Sequence, residues 1–272
     1  EARLIICDDK NKEDLKNISQ KLGVFVETLN GNSTGSIIDQ AASSPEYFEI
    51  ASRSKDDLAA LLYTSGTTGK SKGAMLTQTN LLSNGNALMN EWKFTKNDVL
   101  LHALPLFHTH GLFVATNVML SAGGSMIFLP KFNLDDIIKN LPKSSAMMGV
   151  PTFYTRLLAD NRLNKKLVNH MRLFVSGSAP LLSETHLQFE KITGHRILER
   201  YGMTETNMNT SNPYTGERRA GTVGRPLAGV ELRITDPETE KELSINEIGQ
   251  IEVRGPNVFK GYWKLPDKTK KE

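Results

Sequence analysis

At residues 63–73 the chain reads Tyr63-Thr64-Ser65-Gly66-Thr67-Thr68-Gly69-Lys70-Ser71-Lys72-Gly73. This stretch follows the apolar run Leu58 to Leu62, which predicts a buried strand. Glycines let backbone N–H groups approach an anion closely, hydroxyl groups add hydrogen-bond donors, and lysine supplies positive charge. The stretch therefore predicts a loop that follows a strand and binds phosphate groups.

The P-loop of nucleotide hydrolases has a different spacing. Its first glycine stands five positions before its second, and with Gly69 as the second glycine that position holds Thr64. A flexible surface turn is the alternative. It would be the default interpretation of three or four such residues, but it explains eleven residues in this order poorly.

The composition is that of an ordinary globular protein, with 39% hydrophobic and 23% charged residues. The 33 basic and 30 acidic residues leave a net charge of +3, which is too small to indicate a nucleic-acid surface. No apolar segment approaches the roughly 20 residues of a membrane span. The single cysteine, Cys7, cannot form an internal disulfide, so we expect a reducing compartment, the cytoplasm.

Apolar strand segments alternate with helical ones between residues 51 and 220, which predicts a parallel sheet covered by helices. Further on, strands at Val230–Ile234 and Gly249–Val253 follow each other without a helix, and this predicts an antiparallel segment. A polar connector precedes residue 51. We therefore expect an α/β fold with subdomains at residues 1–50, 51–220 and 221–272.

Two helices have polar residues at their expected starts. Thr79 precedes a helix that continues to Trp92, and Ser183 opens a helix that ends at Thr193, so both are predicted N-caps. Residues 108–120 are mostly apolar and predict one further helix.

Polar motifs follow three of the predicted strands. They are Pro105–Gly111 after the strand ending at Leu104, Ser176–Pro180 after the strand ending at Val175, and Tyr201–Glu205 after the strand ending at Glu199. Ligands of open parallel sheets bind at the carboxyl ends of the strands. We therefore expect these motifs to meet at one cleft.

The loop and these motifs resemble the adenylate-forming enzymes, which include acyl-CoA synthetases, luciferases and the adenylation domains of peptide synthetases. The resemblance covers essentially the whole chain. It implies the large N-terminal domain of that family, with parallel helix-covered sheets followed by an antiparallel β segment. The family's first strands, ribose-binding motif, hinge and small C-terminal domain have no counterpart here, so we expect the middle part of a longer protein with little activity alone.

Members of this family activate a carboxylic acid with ATP, and the resemblance implies the same reaction here. The carboxylate attacks the α-phosphorus, pyrophosphate leaves, and the thiol of coenzyme A then displaces AMP from the mixed anhydride. The first step depends on placing two anions in line and on neutralising charge with Mg²⁺, lysine and backbone dipoles. No protein nucleophile is required, which agrees with the single cysteine.

The resemblance also implies which residues bind ATP. Tyr201 would stack on adenine, Gly177–Ala179 would line the base, and Thr204 would donate a hydrogen bond to the α-phosphate. The expected ATP-binding residues are Thr64, Ser65, Gly66, Thr67, Thr68, Gly69, Lys70, Gly177, Ser178, Ala179, Glu199, Arg200, Tyr201, Gly202 and Thr204.

Four matched residues are expected to act in catalysis. Lys70 and Thr204 would contact phosphates, Glu205 would bind Mg²⁺, and His108 would lie between the acid and its adenylate. Seen alone, a Thr–Glu pair is a helix cap about as often as it is part of a functional site. A histidine beside Phe107 is more often part of a core than catalytic. Their joint order favours the functional interpretation.

The acid is expected to carry a second carboxylate. In synthetases for aliphatic or aromatic acids the residue before the tyrosine is usually small, whereas this chain has Arg200. An unpaired guanidinium is costly to bury, but it can bind a carboxylate through two parallel hydrogen bonds. The motifs resemble malonyl-CoA synthetases, so we expect malonate, ATP and coenzyme A as substrates. The expected acid-binding residues are Arg156, Arg200, Ser178, His110 and His108.

Three alternatives stay open. Arg156 and Arg200 could form surface ion pairs instead. The acid could be methylmalonate or another short-chain acid. The chain could also belong to a nucleotide-binding module without turnover.

Overall fold

A computed structural model describes residues 2–64 and 71–271 of the chain. The strands are β1 Leu4–Cys7, β2 Phe25–Thr28, β3 Leu58–Thr64, β4 Lys72–Thr77, β5 Val99–His102, β6 Ser125–Phe128, β7 Ala146–Gly149, β8 Leu173–Ser176, β9 Leu198–Met203, β10 Asn207–Ser211, β11 Arg225–Pro226, β12 Glu231–Thr235 and β13 Gln250–Arg254. The helices are α1 Asp9–Leu22, α2 Ser36–Ala42, α3 Gln78–Glu91, α4 Asn117–Ala122, α5 Leu134–Asn140, α6 Pro151–Leu158, α7 Ser183–Thr193 and α8 Pro266–Thr269, with a π-helix at His110–Thr116 and a 3-10 turn at Leu141–Lys143. Internal contacts divide the chain after Ser52 into two compact units. The expected subdomain boundaries at residues 50 and 220 stay predictions.

The unit that ends at Ser52 is a small α/β unit. Its strands β1 and β2 pair in parallel, and α1 connects them. Asp8 caps α1 by accepting a hydrogen bond from the backbone N–H of Asn11 (3.1 Å). Gly23 ends the helix at φ 65°, a left-handed conformation that glycine adopts without steric cost.

The second unit contains a seven-stranded sheet with the order β11-β10-β9-β8-β7-β5-β6. Strands β6, β5, β7, β8 and β9 pair in parallel. The π-helix with α4, then α5, α6 and α7, form the successive crossovers between these strands. The predicted α/β class with a parallel, helix-covered sheet is confirmed.

Helices cover this sheet on both faces because successive side chains of a strand point in opposite directions. Leu100 and Met148 pack into a core with α3, the π-helix and α4. Their neighbours Leu101 and Met147 pack into a second core with α5, α6 and α7. Strands buried on both faces are typical of parallel sheets, and their ends hold the loops of the site in fixed positions.

The antiparallel part begins earlier than the sequence predicts. β9 continues to Met203 and turns through Thr204–Thr206 into the antiparallel strand β10, so the pairing changes at Asn207 and not near residue 221. Asn207 has a φ of 50°, the left-handed conformation that asparagine tolerates in turns. The later strands β12 and β13 pair antiparallel, as predicted.

The strand before the glycine-rich loop is more exposed than predicted. β3 and β4 form a two-stranded antiparallel sheet in which Thr64 lies opposite Lys72. Leu61 and Tyr63 of β3 are 38% and 61% exposed, so the prediction of a buried strand at Leu58–Leu62 is wrong. An apolar run does not distinguish a strand inside a large sheet from one in a two-stranded sheet.

Both predicted helix N-caps are wrong. Thr77 caps α3 by accepting a hydrogen bond from the backbone N–H of Asn80 (3.1 Å), and the Asn80 side chain accepts one from the backbone N–H of Thr77 (2.8 Å). Thr79 therefore lies in the first turn of the helix. Ser183 is the first residue of α7, and Leu182 precedes it without a side-chain cap.

Candidate active site

A cavity of about 220 Å³ lies where the motifs after β5, β8 and β9 meet. The strand β3 that leads into the glycine-rich loop also ends there. The residues that line the cavity are Thr64, His108, Thr109, His110, Ser178, Arg200, Gly202, Met203, Thr204, Glu205 and Met208. The fold therefore brings most of the expected site residues outside the loop to one space.

Thr204 and Glu205 lie in the turn of the β9–β10 hairpin. They do not begin a helix, so the alternative of a helix cap is wrong. Glu205 is 8% exposed, and the backbone N–H of Phe259 donates a hydrogen bond to its carbonyl oxygen (2.7 Å). A Cβ atom at Gly202 would collide with the carbonyl oxygen of Asn207, so the close approach of the two strands requires glycine here.

Arg200 extends from β9 to the cavity and is 4% exposed. Its guanidinium lies against Gly177, where a Cβ atom would collide with it. Among the described residues, its Nε and Nη2 atoms have no hydrogen-bond partner. The alternative of a surface ion pair is therefore wrong for Arg200.

Burial lowers the pKa of Arg200 to about 9, because it removes water from the guanidinium. Arginine in proteins ordinarily has a pKa above about 12. At neutral pH the side chain still carries its positive charge. A buried cation with two unpaired nitrogens is strongly stabilised by an anion that can accept hydrogen bonds from it.

His110 belongs to the π-helix His110–Thr116. The structure therefore differs from the single helix predicted for residues 108–120, because α4 begins only at Asn117. His102, the last residue of β5, holds the π-helix through its Nε2 atom, which lies 3.0 Å from the carbonyl oxygen of Gly111. Single π turns occur often at functional sites, and this one directs His110 toward the cavity.

The cavity contains two histidines that are neutral at pH 7. His110 is 2% exposed, and its Nδ1 atom lies 3.3 Å from Oγ of Ser178. Burial and the charge of Arg200 lower the pKa of His110 well below its ordinary value. His108, whose Nδ1 accepts a hydrogen bond from the backbone N–H of His110 (3.3 Å), has its pKa lowered for the same two reasons. Both rings can therefore form hydrogen bonds without adding positive charge.

The structure does not place Arg156 at this cavity. Arg156 is an exposed residue of α6, and its guanidinium lies 5.6 Å from the centre of the Phe132 ring. A role for Arg156 in acid binding stays a prediction.

Glu199 is also outside the cavity lining. It precedes Arg200 on β9 and therefore points to the opposite face of the sheet. There its Oε2 atom accepts a hydrogen bond from the backbone N–H of Leu181 (3.2 Å), and burial raises its pKa. The other expected residues that do not line the cavity are Gly177, Ala179 and Tyr201, which adjoin residues that do. The expected loop residues Ser65–Lys70 lie outside the described residues.

Sequence reasoning did not assign a role to Lys72 or Tyr262. Nζ of Lys72 donates a hydrogen bond to the hydroxyl of Tyr262 (3.3 Å), which in turn donates to Oε1 of Glu205 (2.7 Å). Lys72 stands in the glycine-rich stretch, and this position was the available signal. Tyr262 carries no signal, since it is separated from Glu205 by more than fifty residues.

Glu205 fits the requirements of a Mg²⁺ ligand. Within the part of the chain that the structure describes, no three His, Cys, Asp or Glu side chains cluster as a metal site. Mg²⁺ at nucleotide sites is commonly held by one or two carboxylates together with substrate phosphates and water. A single carboxylate at the cavity therefore suits a Mg²⁺ ion that enters with a nucleotide.

Comparisons with known proteins agree with this geometry. The model of the AMP-binding enzyme family matches residues 1–263. A malonate–CoA ligase of Arabidopsis thaliana is 38% identical, with 98% of this chain and 47% of the relative covered. The mitochondrial malonate–CoA ligase ACSF3 of Bos taurus is 34% identical, with 99% and 51% covered. The chain thus spans about half the length of these relatives.

Solved structures share the fold. MatB from Rhodopseudomonas palustris with ATP bound is 58% identical and has a TM-score of 0.97, with 99% of this chain and 54% of that chain covered. A malonyl-CoA ligase with methylmalonyl-CoA and AMP bound is 35% identical and has a TM-score of 0.78, with 99% and 66% covered. The sheet and the cavity at its edge thus define the large domain of an adenylate-forming enzyme. The chain belongs to the AMP-binding enzyme family.

Proposed function

We propose that the protein containing this chain is a malonyl-CoA synthetase. It converts malonate and ATP to malonyl-adenylate and pyrophosphate, and then transfers the malonyl group to coenzyme A with release of AMP. The observation that carries the proposal is the buried guanidinium of Arg200 at the cavity, whose Nε and Nη2 atoms have no hydrogen-bond partner among the described residues. The similarity to malonate–CoA ligases supports the same assignment.

Arg200 binds the carboxylate of malonate that does not react. A carboxylate that accepts hydrogen bonds from Nε and Nη2 would satisfy both unpaired atoms at once. Ser178 and His110 add hydrogen bonds from the other side of the cavity, since their side chains already lie 3.3 Å apart. A monocarboxylic acid would leave the buried charge without a partner, and this penalty provides the selectivity.

The nucleotide occupies the side of the cavity formed by the hairpin turn. Thr204 contacts the α-phosphate, Tyr201 stacks on adenine, and the loop at residues 64–70 binds the β- and γ-phosphates. Glu205 would hold Mg²⁺, and the ion would supply positive charge to offset that of the departing pyrophosphate. His108 lies at the rim beside His110 and separates the acid from the phosphate side.

The residues promote the reaction by positioning. The reacting carboxylate and the α-phosphorus are both anionic, so their approach is unfavourable unless positive charge and hydrogen-bond donors are fixed around them. Arg200 anchors the acid at its far end, which leaves the near carboxylate directed toward Thr204. A carboxylate nucleophile has no proton to lose, so the reaction does not require the neutral histidines as general bases.

The experiment that tests this proposal measures acid-dependent pyrophosphate release by the full-length protein. Malonate, methylmalonate, succinate, acetate, propionate and butyrate are compared at saturating ATP and Mg²⁺. We expect malonate to give the highest kcat/KM, with propionate and butyrate far below it. Release that is equal for mono- and dicarboxylates would contradict the malonate assignment, and ATP binding without release for any acid would show a binding module without turnover.

A second candidate substrate is methylmalonate. The relative with methylmalonyl-CoA and AMP bound favours it, and its two carboxylates would satisfy Arg200 in the same way. The same substrate panel distinguishes the two acids by their kcat/KM ratio.

The cytoplasm is the compartment that we propose. Within the described residues, none of the helices has both the length and the apolar character needed to cross a membrane. The single cysteine agrees with a reducing environment. Cell fractionation of the tagged full-length protein tests this, and recovery in an organelle fraction would contradict it.

A further inference from the structure

The segment Gly255–Trp263 connects the strand after the glycine-rich loop with the hairpin turn that carries Glu205. Its backbone pairs with β4, since the N–H of Met75 donates to the carbonyl oxygen of Gly261 (2.9 Å) and the N–H of Trp263 donates to that of Gly73 (2.8 Å). The backbone contact from Phe259 to Glu205 lies in the same segment. One short piece of chain thus fixes two parts of the nucleotide site.

The side chain of Tyr262 lies between these two parts. Tyr262 is 2% exposed, and its ring packs against Phe259 with 4.9 Å between the ring centres. Its hydroxyl donates to Oε1 of Glu205 (2.7 Å) and accepts from Nζ of Lys72 (3.3 Å). The ammonium of Lys72 also lies 4.4 Å from the centre of the ring. A cation, a phenol and a carboxylate are therefore connected in series.

We propose that Tyr262 is a positioning residue that fixes the Glu205 carboxylate for Mg²⁺. The inference rests on the proposed function, in which Glu205 binds the metal. A hydrogen bond from Tyr262 to Oε1 restricts rotation of the carboxylate about its last bond and leaves Oε2 as the oxygen directed to the metal. The positive charge of Lys72 polarises the phenol O–H and strengthens its donation to the carboxylate.

The arrangement also keeps the negative charge of Glu205 available. A lysine in direct contact with a carboxylate neutralises it, and a cation then binds less tightly. The phenol transmits a hydrogen bond to Glu205 but carries no charge itself. Tyr262 is therefore suited to orient the carboxylate without competing with Mg²⁺ for it.

The test is the variant Tyr262→Phe in the full-length protein, which removes the hydroxyl and retains the ring. Binding of Mn²⁺ is measured by the electron paramagnetic resonance of free Mn²⁺, with α,β-methylene ATP as the nucleotide. Loss of a hydrogen bond to a charged group is expected to weaken Mn²⁺ binding about tenfold. The Mg²⁺ concentration for half-maximal pyrophosphate release should rise by the same factor, while the KM for malonate stays unchanged.

Tyr214→Phe is the matched control. Tyr214 also lies among cations, with Lys93, Arg172 and Arg218 within 5.3, 5.2 and 5.8 Å of its ring centre, but it does not line the cavity. This variant should bind Mn²⁺ as the wild type does. Equal weakening in both variants would overturn the proposal, because it would show a general effect of removing a tyrosine hydroxyl.

A double-mutant cycle with Glu205→Gln separates positioning from stability. If Tyr262 acts through the carboxylate, Tyr262→Phe should have no further effect on Mn²⁺ binding in the Glu205→Gln background. Additive losses would overturn the proposal, as would unchanged Mn²⁺ binding in Tyr262→Phe or in Glu205→Gln. A different result would contradict the proposed function, namely a wild-type protein that releases no pyrophosphate with any acid. Such a protein can still bind Mn²⁺ and nucleotide, so the role of Tyr262 is tested separately.

Discussion

Two arginines of the second unit have opposite surroundings. Arg172 binds Asp98 through Nε (2.6 Å) and Nη2 (3.0 Å), donates to the carbonyl oxygen of Trp92 (2.9 Å), and lies between the rings of Phe94 and Tyr214. Arg200 is more buried, and among the described residues two of its nitrogens have no partner. Burial disfavours the charge of both, but the hydrogen bonds that Arg172 donates to Asp98 help to outweigh this effect, and the pKa of Arg172 is raised.

The difference separates an arginine that is paired within the fold from one that, in the proposed function, binds the acid. Three N–H groups of Arg172 donate to protein atoms, and the carboxylate of Asp98 balances its charge. At Arg200 the charge is buried, and among residues 2–64 and 71–271 no group accepts hydrogen bonds from its Nε and Nη2 atoms to offset the cost. Natural proteins retain such a cost mainly where function requires it. Four predictions test this contrast.

Arg172→Ala should reduce the free energy of unfolding by about 3 kcal/mol, because it leaves the Asp98 carboxylate buried without its partner. The Arg172 side chain is 23% exposed, which places the effect at the lower end for buried pairs. Urea unfolding followed by circular dichroism measures the change. A loss below about 1 kcal/mol would mean that the pair behaves as a surface ion pair.

Arg200→Ala should reduce kcat/KM for malonate by about 10²-fold or more, because a desolvated charge partner of the substrate is lost. Stability should be unchanged or higher, since an unpaired buried charge is removed. Steady-state kinetics with malonate and propionate measure the effect, and propionate activity should stay the same or rise. Equal losses for both acids would show that Arg200 supports the fold or the nucleotide instead.

Arg200→Lys should retain more malonate activity than Arg200→Ala, with a kcat/KM within about tenfold of the wild-type value. The charge is kept, but an ammonium cannot make the two parallel hydrogen bonds of a guanidinium. The same kinetic assay measures kcat/KM. Full recovery would show that charge alone is sufficient and would remove the argument from bidentate geometry.

Malonate affinity should be constant between pH 7 and 8 and should weaken about twofold at pH 9. Since burial lowers the pKa of Arg200 to about 9 in the free protein, half of the guanidinium groups have lost their charge at that pH. His108 and His110 titrate below their ordinary range and are neutral throughout. Isothermal titration calorimetry with malonate measures the profile, and Arg200→Gln should bind weakly with no such dependence. A wild-type affinity that stays constant through pH 10 would contradict the explanation.

Local motifs and the alternation of strands and helices were sufficient to predict the parallel sheet and the convergence of polar residues at its edge. Both features depend on residues close together in sequence and on the geometry of parallel strands. The exposure of β3 could not be predicted, because it depends on which strand lies next to it in space. The turn at Thr204–Thr206 was missed because the polar strand β10, Asn207–Ser211, has no apolar periodicity.

The contacts around Glu205 were beyond sequence reasoning for a similar reason. Tyr262 reaches Glu205 because the segment Gly255–Trp263 pairs with β4. No local sequence pattern predicts that pairing. The π-helix at His110–Thr116 was predicted as part of an ordinary helix, since both have the same apolar composition. The carbonyl oxygen of Gly111 in this segment lies 3.0 Å from Nε2 of His102, which belongs to another element.

If Arg200 binds the acid as proposed, its contact with Gly177 makes the choice of acid sensitive to a residue that need not touch the acid. A single methyl group at position 177 would displace the flexible end of Arg200 rather than the backbone. The protein would then still fold, but it would lose the binding site for a second carboxylate. A substitution at position 177 would therefore change the selectivity between acids even though Arg200 itself is retained. A redesign of the acid specificity of this cavity would therefore have to change positions 177 and 200 together.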